Sequence, residues 1–211
     1  GEQIAETIRF HQGYTKREAL EKTVEMLEMV GINSAKKRLK QYPHHFSGGM
    51  RQRVMIAIAL VCGPDLLIAD EPTTSLDVTI QLQILNLLRG LMTKLQMSMI
   101  FISHDLGVVA RICDKIGVMY AGNIIEIADK YSLFTRTLHP YAQGLLKSIP
   151  HRGRKREFLD PIRGTVCSLL DPPPGCRFHP RCDQGRKSCQ DALPPLHEVE
   201  KGHFVACHLY S

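Results

Sequence analysis

Two short apolar runs, residues 66–69 and residues 99–102, constrain the fold of this 211-residue chain more than any other feature. An apolar run of four residues bounded by turn signals is typical of a strand buried in a parallel sheet. The segment 79–95 between them has helical spacing, so the order strand–helix–strand predicts an α/β fold. Residues 115–120 and 124–127 predict two further strands around a tight turn, and the first of these would extend the parallel sheet.

Charged residues follow both apolar runs. Asp70 and Glu71 come directly after the first run, and His104 follows the second. In open sheets of this kind, ligands bind at the carboxyl ends of the strands. Adjacent side chains point to opposite faces of a strand, so one acid can hold Mg²⁺ through water while the other orients an attacking water. His104 is a candidate donor to a terminal phosphate oxygen, although a single histidine at a strand end is more often structural.

A glycine-rich loop precedes the helix predicted at residues 50–61. It consists of Ser47, Gly48 and Gly49, and the two glycines let backbone N–H groups approach an anion closely. The N-terminus of a helix also favours negative charge. Taken alone, the three residues have the composition of an ordinary flexible turn, so a phosphate site here depends on the other motifs.

Composition limits the class of protein. The hydrophobic share of 44% and the charged share of 23% are ordinary for a globular domain. No stretch approaches about 18 uninterrupted apolar residues, and residues 1–6 carry charge where a signal peptide would be apolar. We therefore expect a protein of the cytosol or of the cytosolic face of a membrane. The net charge of +6 suits an anionic partner such as a nucleotide.

The chain divides by composition into three predicted domains. Residues 1–65, which include an amphipathic helix at residues 18–30, would form a helical subdomain. Residues 66–150 would form the α/β part, and residues 151–211 a cysteine-rich tail. A basic linker at residues 151–156 marks the second boundary. The tail has few long apolar runs, so it cannot build much of a core from side chains alone.

The order of these motifs resembles that of the ABC-transporter ATPases, a branch of the P-loop NTPases. Residues 46–50 (FSGGM) resemble the signature motif, and residues 66–71 resemble Walker B. Residues 75–77 resemble the D-loop, and His104 resembles the switch histidine. Residues 70–81 (DEPTTSLDVTIQ) and the cysteine-bearing tail are similar to the dipeptide, oligopeptide and nickel importer ATPases. The resemblance implies a partial P-loop NTPase fold, with a parallel sheet and a helical subdomain.

The resemblance implies a role for each candidate residue. Glu71 would activate the water that attacks the γ-phosphate of ATP, and His104 would contact that phosphate. Nucleotide and Mg²⁺ contacts fall to five further residues: Ser47, Gly48, Gly49, Asp70 and Asp77. In this family the Walker B aspartate helps to hold Mg²⁺, the D-loop aspartate communicates across a dimer, and the signature residues bind ATP that the opposite subunit holds.

The resemblance also implies partners and a setting. Two such subunits form a homodimer or heterodimer around ATP, and its closure drives transmembrane permease subunits from the cytoplasmic face of the membrane. An extracytoplasmic solute-binding protein takes part indirectly, and nucleic acid is not a partner. The expected function is ATP-driven uptake of dipeptides or oligopeptides. The alternative is a cytosolic ABC-type ATPase, or a metal-cluster regulatory module, that is not coupled to transport.

One family motif does not occur in the 211 residues. They contain no G-x-x-x-x-G-K-[ST], the Walker A loop whose backbone and lysine hold the phosphates. We therefore expect the phosphate-binding loop to precede Gly1, so that the chain begins at the helical subdomain and is inactive as an ATPase by itself.

Four cysteines crowd into the tail with the spacing C-x5-C-x6-C-x17-C: Cys176, Cys182, Cys189 and Cys207. Because cytosolic thiols stay reduced, a metal is a better staple for such a segment than disulfides. Zinc modules pair their cysteines at shorter spacings, although nearby histidines keep a mixed zinc site open. The importer ATPases that the chain resembles include members with a [4Fe–4S] cluster in this tail. That cluster is the expected cofactor besides ATP and Mg²⁺, and Zn²⁺ is the alternative.

Overall fold

The computed structural model describes residues 1–148 and 161–211, and the chain divides into two compact units, Gly1–Asp105 and Leu106–Ser211. The boundary predicted at residue 150, with its basic linker, lies outside the described residues. The boundary predicted after residue 65 falls inside the first unit. No helix of the described residues is both long enough and apolar enough to cross a bilayer.

Helices make up the first part of the Gly1–Asp105 unit: α1 (Glu2–Gln12), α2 (Lys16–Met29), α3 (Ala35–Arg38) and α4 (Gly48–Leu60). Helix α2 begins at a capping box in which Thr15 and Glu18 each accept a hydrogen bond from the other's backbone N–H. Helices α1, α2 and α4 contact one another and bury Ile8 and Leu27. The helix predicted at residues 18–30 is confirmed.

A parallel strand pair follows these helices: β1 (Leu66–Asp70), then α5 (Val78–Leu95), then β2 (Ser98–Ile102). The register aligns Ile68 with Ile100 and Asp70 with Ile102, so the two strands end at the same edge. The predicted order of strand, helix and strand, with parallel pairing, is confirmed.

One face of this strand pair is open, and there the prediction of fully buried strands was wrong. Leu67 and Ala69 are buried, whereas Ile68 and Ile100 have exposed fractions of 62% and 49%. Side chains alternate across a strand, so the exposed residues share the face opposite to Leu67. Within the part of the chain that the structure describes, nothing covers that face.

The described part of the Leu106–Ser211 unit contains α6 (Leu106–Ile112), β3 (Lys115–Tyr120), β4 (Asn123–Asp129), α7 (Lys130–Thr135), α8 (Pro140–Lys147), α9 (Ser188–Asp191), β5 (His197–Glu200) and β6 (His203–Val205). Its strands form an antiparallel sheet in the order β3–β4–β6–β5. The predicted hairpin is confirmed, and its turn residues Ala121 and Gly122 have φ of 47° and 83°. Among the described strands β3 pairs only with β4, because this turn supplies an antiparallel partner locally. The prediction that β3 extends the parallel sheet was therefore wrong.

The tail contributes two strands to this sheet. Strand β6 pairs with β4, aligning Val205 with Glu126, and Val205 is fully buried. Phe178 is buried against Tyr120 and Tyr141, with ring centroids 5.3 and 5.4 Å away. Val205 and Phe178 of the tail therefore pack on the β3–β4 hairpin and on α8.

A buried carboxylate joins β4, β6 and the loop before α8. Glu126 has an exposed fraction of 0%, and its Oε1 accepts from the Leu138 N–H at 2.9 Å and lies 2.8 Å from Nε2 of His203. Its Oε2 accepts from the His139 N–H at 2.8 Å. A carboxylate is costly to bury without such partners, so these contacts hold the tail strand in its place.

Candidate functional site

Glu71 lies one residue beyond β1 in a backbone conformation that is unusual for glutamate. Its φ is 44°, in the left-handed region that costs an ordinary residue about 1–2 kcal/mol. Its N–H donates to the Ile102 carbonyl at 3.0 Å, which ties the residue to the end of β2. Strained residues of this kind cluster at functional sites.

Both carboxylate oxygens of Glu71 have partners. His104 Nδ1 lies 2.9 Å from Oε1, and the Thr74 hydroxyl donates to Oε2 at 2.8 Å. The hydrogen bond with His104, and then that with Thr74, hold the pKa of Glu71 below its usual range. The hydrogen bond with Glu71 raises the pKa of His104 in turn. Both shifts favour the charged forms, a carboxylate on Glu71 and an imidazolium on His104. The pair lies at the edge of the sheet where β1 and β2 end.

This pair is open to solvent. The side chains of His104 and Glu71 have exposed fractions of 76% and 43%. Exposed ion pairs contribute only about 0–1 kcal/mol to stability, so the contact positions the two groups more than it stabilises the fold. With Nδ1 turned to Glu71, Nε2 is the imidazole nitrogen that faces away from the carboxylate.

Asp70 is the last residue of β1 and is exposed. Within residues 1–148 and 161–211, no three His, Cys, Asp or Glu side chains form a group that could hold a metal ion. Mg²⁺ in nucleotide sites is commonly held by one or two carboxylates together with water and substrate phosphates. A single exposed carboxylate such as Asp70 fits that pattern without further protein ligands.

The Ser-Gly-Gly segment begins a helix and does not form the flexible turn that was predicted. Ser47 is the N-cap of α4, its hydroxyl accepts from the Met50 N–H at 3.3 Å, and Gly48 and Gly49 lie in the first helical turn. The prediction was wrong because serine is a strong N-cap residue, which offsets the low helix propensity of glycine. The N–H groups of a first helical turn lack intrahelical acceptors, so those of Gly48 and Gly49 are available to an anion.

Asp77 is the N-cap of α5. Its Oδ1 accepts from the Ile80 N–H at 3.0 Å, and Ser75 before it has a φ of 67°. The Thr74 N–H donates to the Glu71 carbonyl at 3.2 Å, so the chain turns tightly between β1 and α5. Asp77 therefore fixes the start of α5 close to the Glu71 turn.

The four tail cysteines lie near one another in the Leu106–Ser211 unit. The Cys176 N–H donates to the Cys189 carbonyl at 2.8 Å, and all seven cysteines of the chain are free thiols. Burial raises the pKa of Cys176, Cys182 and Cys207, the last to about 11, and negative charge on the neighbouring sulfurs raises these values further. Because the described residues contain no three-ligand metal group, the predicted metal site is not confirmed.

Sequence reasoning missed Thr74 and Glu126 of these networks, and it considered His203 only as a possible ligand of a mixed zinc site. No motif gave Thr74 a role, although it lies only three residues after Glu71, whose carboxylate accepts from its hydroxyl. The contact of Glu126 with His203 had no sequence signal, because the two residues are 77 positions apart and meet only when β6 joins β4.

Two sequence families match parts of the chain. The family described as ABC transporter matches residues 2–74, and the family described as oligopeptide/dipeptide transporter, C-terminal region, matches residues 125–189. The first match includes the Ser-Gly-Gly segment, Asp70 and Glu71, and the second includes Glu126 and the tail as far as Cys189.

Individual relatives match the chain along almost all of its length. It is 50% identical over 210 residues to the oligopeptide transport ATP-binding protein AppD of Bacillus subtilis, covering 100% of this chain and 64% of that protein. It is 49% identical over 207 residues to the oligopeptide transport ATP-binding protein OppD of Salmonella typhimurium, covering 98% of this chain and 62% of that protein. The chain thus spans less than two thirds of the length of these relatives.

A solved structure supports the fold. CbiO1 of Clostridium perfringens, described as part of the ABC transporter complex CbiONQ, matches with a TM-score of 0.55 and 28% identity. The match covers 63% of this chain and 51% of that chain. This likeness supports the predicted α/β fold and does not test the predicted cysteine-rich segment.

Proposed function

The chain belongs to the ABC transporter ATP-binding proteins of the oligopeptide and dipeptide branch, and from this we propose that it forms part of an ATP-hydrolysing subunit of a peptide importer. The observation that carries the proposal is the contact of Glu71 with His104 at the carboxyl edge of β1 and β2. Ligands of open α/β sheets bind at that edge. The activity is proposed for a subunit as long as the relatives that the chain matches. We call it the full-length subunit.

Hydrolysis is assigned to Glu71 and His104. The Glu71 carboxylate accepts a hydrogen bond from water and orients its oxygen for attack on the γ-phosphorus, which releases ADP and phosphate. The pKa of this carboxylate lies below its ordinary value of 4.5, so it is ionised throughout the neutral range. His104, held through Nδ1, donates from Nε2 to a γ-phosphate oxygen, and its raised pKa favours the donating, charged form.

Nucleotide contacts are assigned to two further parts of the Gly1–Asp105 unit. Asp70 helps to hold the Mg²⁺ that accompanies ATP, as one exposed carboxylate beside the catalytic one. The N-terminus of α4, with Ser47, Gly48 and Gly49, contacts the γ-phosphate of ATP held by a second subunit. Asp77 lies on the D-loop that communicates with that subunit. Two ATPase subunits, identical or different, would then complete each other's sites.

Phosphate binding also needs a loop that the 211 residues do not contain. The Walker A pattern G-x-x-x-x-G-K-[ST] is absent from them, and one helix N-terminus with a few donors cannot replace a full phosphate cradle. We propose that these 211 residues alone neither bind Mg-ATP measurably nor hydrolyse it.

The proposed partners follow from the relatives, which are named as oligopeptide transport ATP-binding proteins. The full-length subunit would dock on permease subunits as a peripheral protein of the cytoplasmic membrane face, and an extracytoplasmic solute-binding protein would deliver the peptide. Nucleic acid is not a proposed partner. A cytosolic ATPase or a regulatory module uncoupled from transport is not favoured, because the matched proteins and families are those of transport.

A [4Fe–4S] cluster in the tail remains a proposal. Its support is the spacing of four cysteines in a short segment of the sequence, Cys176, Cys182, Cys189 and Cys207, and the hydrogen bond from the Cys176 N–H to the Cys189 carbonyl. Zn²⁺ is the alternative, and it fits the sequence less well because zinc modules pair their cysteines at shorter spacings. No group of three ligands in the described residues supports either metal. The four cysteines would hold the cluster as thiolates and staple the tail, with no part in hydrolysis.

A transport assay tests the proposed function. The full-length subunit would be reconstituted in proteoliposomes with its permease subunits and binding protein, and uptake of a radiolabelled tripeptide would be measured with and without ATP. We expect ATP-dependent uptake, and none with a Glu71→Gln subunit. Normal ATP hydrolysis without uptake of any di- to pentapeptide would overturn the importer assignment.

A further inference from the structure

Gly49, in the first turn of α4, has no room for a side chain. A Cβ at this position would lie 2.6 Å from Cγ2 of Ile80, in the first turn of α5. Carbon atoms in contact are about 3.5–4.0 Å apart, so one of the two helices would have to shift. Ile80 cannot easily turn away, because a β-branched side chain in a helix has one strongly preferred rotamer. The helices therefore touch at a point where only a glycine fits.

The neighbouring glycine is constrained differently. A Cβ at Gly48 would lie 3.5 Å from Cδ2 of Leu76, which is an ordinary contact with the end of a flexible side chain. Gly48 could thus accept a methyl group without moving α5, whereas Gly49 could not. The close approach of a phosphate would not explain why the two glycines differ in the space that the protein leaves for a Cβ. Packing against Ile80 is therefore a separate constraint on Gly49.

Helix α4 is also tied to α2. Arg53, in the middle of α4, donates from Nη1 to the Val30 carbonyl at 2.7 Å, at the end of α2. A Cβ at Gly31 would lie 2.7 Å from the same nitrogen, so the guanidinium fills the space that this glycine leaves. Arg53 therefore holds the middle of α4 on α2, while Ile80 meets its N-terminal turn.

We propose that Ile80 is a positioning residue, which fixes the N-terminal turn of α4 against the turn that ends at Asp77. The Asp77 carboxylate caps α5 through the Ile80 N–H itself, so one residue contacts both segments. The inference rests on the proposed function, in which both segments face ATP and a second subunit. Ile80 thereby sets how closely the phosphate-binding turn of Gly49 approaches the D-loop in the closed dimer.

Steric rescue in the full-length subunit tests this role. Gly49→Ala should lower the melting temperature and reduce ATP-driven dimerisation and turnover by about tenfold or more. Adding Ile80→Ala removes Cγ2. The double variant should recover the melting temperature of Ile80→Ala alone, and its dimerisation and turnover should lie within about threefold of that variant. The matched control is Gly49→Ala with Ile80→Val, because valine keeps both γ carbons and should give no rescue.

Dimerisation is read at a temperature at which every variant is folded, which separates positioning from stability. The proposal is wrong if Gly49→Ala leaves the melting temperature unchanged, or if Ile80→Ala restores the melting temperature without restoring dimerisation. If Gly49→Ala alone does not fold, recovery of a folded, dimerising double variant supports the proposal, and no recovery overturns it. A failure of the proposed function is distinct, because the wild-type subunit itself would then neither dimerise with ATP nor hydrolyse it.

Discussion

The imidazole Nδ1 of His104 lies 2.9 Å from Oε1 of Glu71, although the two residues are 33 positions apart in the sequence. Each belongs to the segment that follows a parallel strand, and the pairing of β1 with β2 brings the two strand ends together. The contact therefore depends on the sheet, and it orients the acid and the imidazole toward the same solvent-exposed edge.

The first prediction concerns the pH range of this contact. His104 has a raised pKa, so its contribution is complete below the ordinary value of 6.5 and is lost as the pH rises through the raised value. Glu71 has a lowered pKa, so its contribution is present above 4.5 and is lost as the pH falls through the lowered value. NMR titration should place the His104 pKa above 6.5 in the wild type and lower it in Glu71→Gln. An unchanged His104 titration in Glu71→Gln would show that the hydrogen bond does not form in solution.

The second prediction concerns Thr74, whose hydroxyl donates to Glu71 Oε2. Thr74→Val removes this donor and keeps the shape, so the pKa of Glu71 should rise and the acid limb of the hydrolysis rate should move to higher pH. Turnover of the full-length subunit at neutral pH should fall about three- to tenfold, the range expected for one hydrogen bond. Thr74→Ser keeps the hydroxyl and should behave as the wild type. A Thr74→Val subunit with the wild-type pH profile would contradict the assignment.

The third prediction concerns the buried Glu126. Glu126→Gln places an amide donor either beside the Leu138 N–H and His203 or beside the N–H donor of His139. Disrupting one partner of a buried pair is costly, so the free energy of unfolding should fall by about 3 kcal/mol, measured by urea denaturation. Asp171→Asn, an exposed change in the same unit, is the control and should have little effect. A Glu126→Gln protein as stable as this control would show that the carboxylate is dispensable.

The fourth prediction concerns the tail. Full-length subunit purified without oxygen should be brown, with broad absorbance near about 400 nm and about four irons per chain. Cys207→Ser should lose colour and iron, whereas Cys62→Ser, in the Gly1–Asp105 unit, should keep both. A colourless wild-type protein that carries one zinc per chain would decide for the alternative metal.

The strand–helix–strand unit and the edge that carries Glu71 and His104 could be predicted, because hydrophobic periodicity and the rule for strand ends are local signals. The open face of β1 could not, since an apolar run has the same appearance whether one face or both are covered. The φ of 44° at Glu71 has no sequence signal either, because glutamate disfavours the left-handed region.

Contacts between residues far apart in the sequence account for the other features that were not predicted. Residues 203–205 are too short a run to mark a strand, and their partner, β4, lies more than seventy residues earlier in the chain. The close approach of Ile80 to Gly49 could not be predicted from the sequence either, because a glycine near the start of a helix can be required for several different reasons. The candidate site residues could therefore be proposed from the sequence and stay predictions, whereas the contacts that position them could not be predicted.

Substitution of Glu71 in the full-length subunit tests the central claim most directly. Glu71→Gln keeps the shape of the side chain and removes the charge that polarises water. ATP should still bind with affinity close to that of the wild type, while the rate of hydrolysis falls by at least about a hundredfold, as for removal of a positioned general base. Asp70→Asn, measured in parallel, should instead weaken Mg²⁺-dependent binding. A Glu71→Gln subunit that hydrolyses ATP at the wild-type rate would contradict the account.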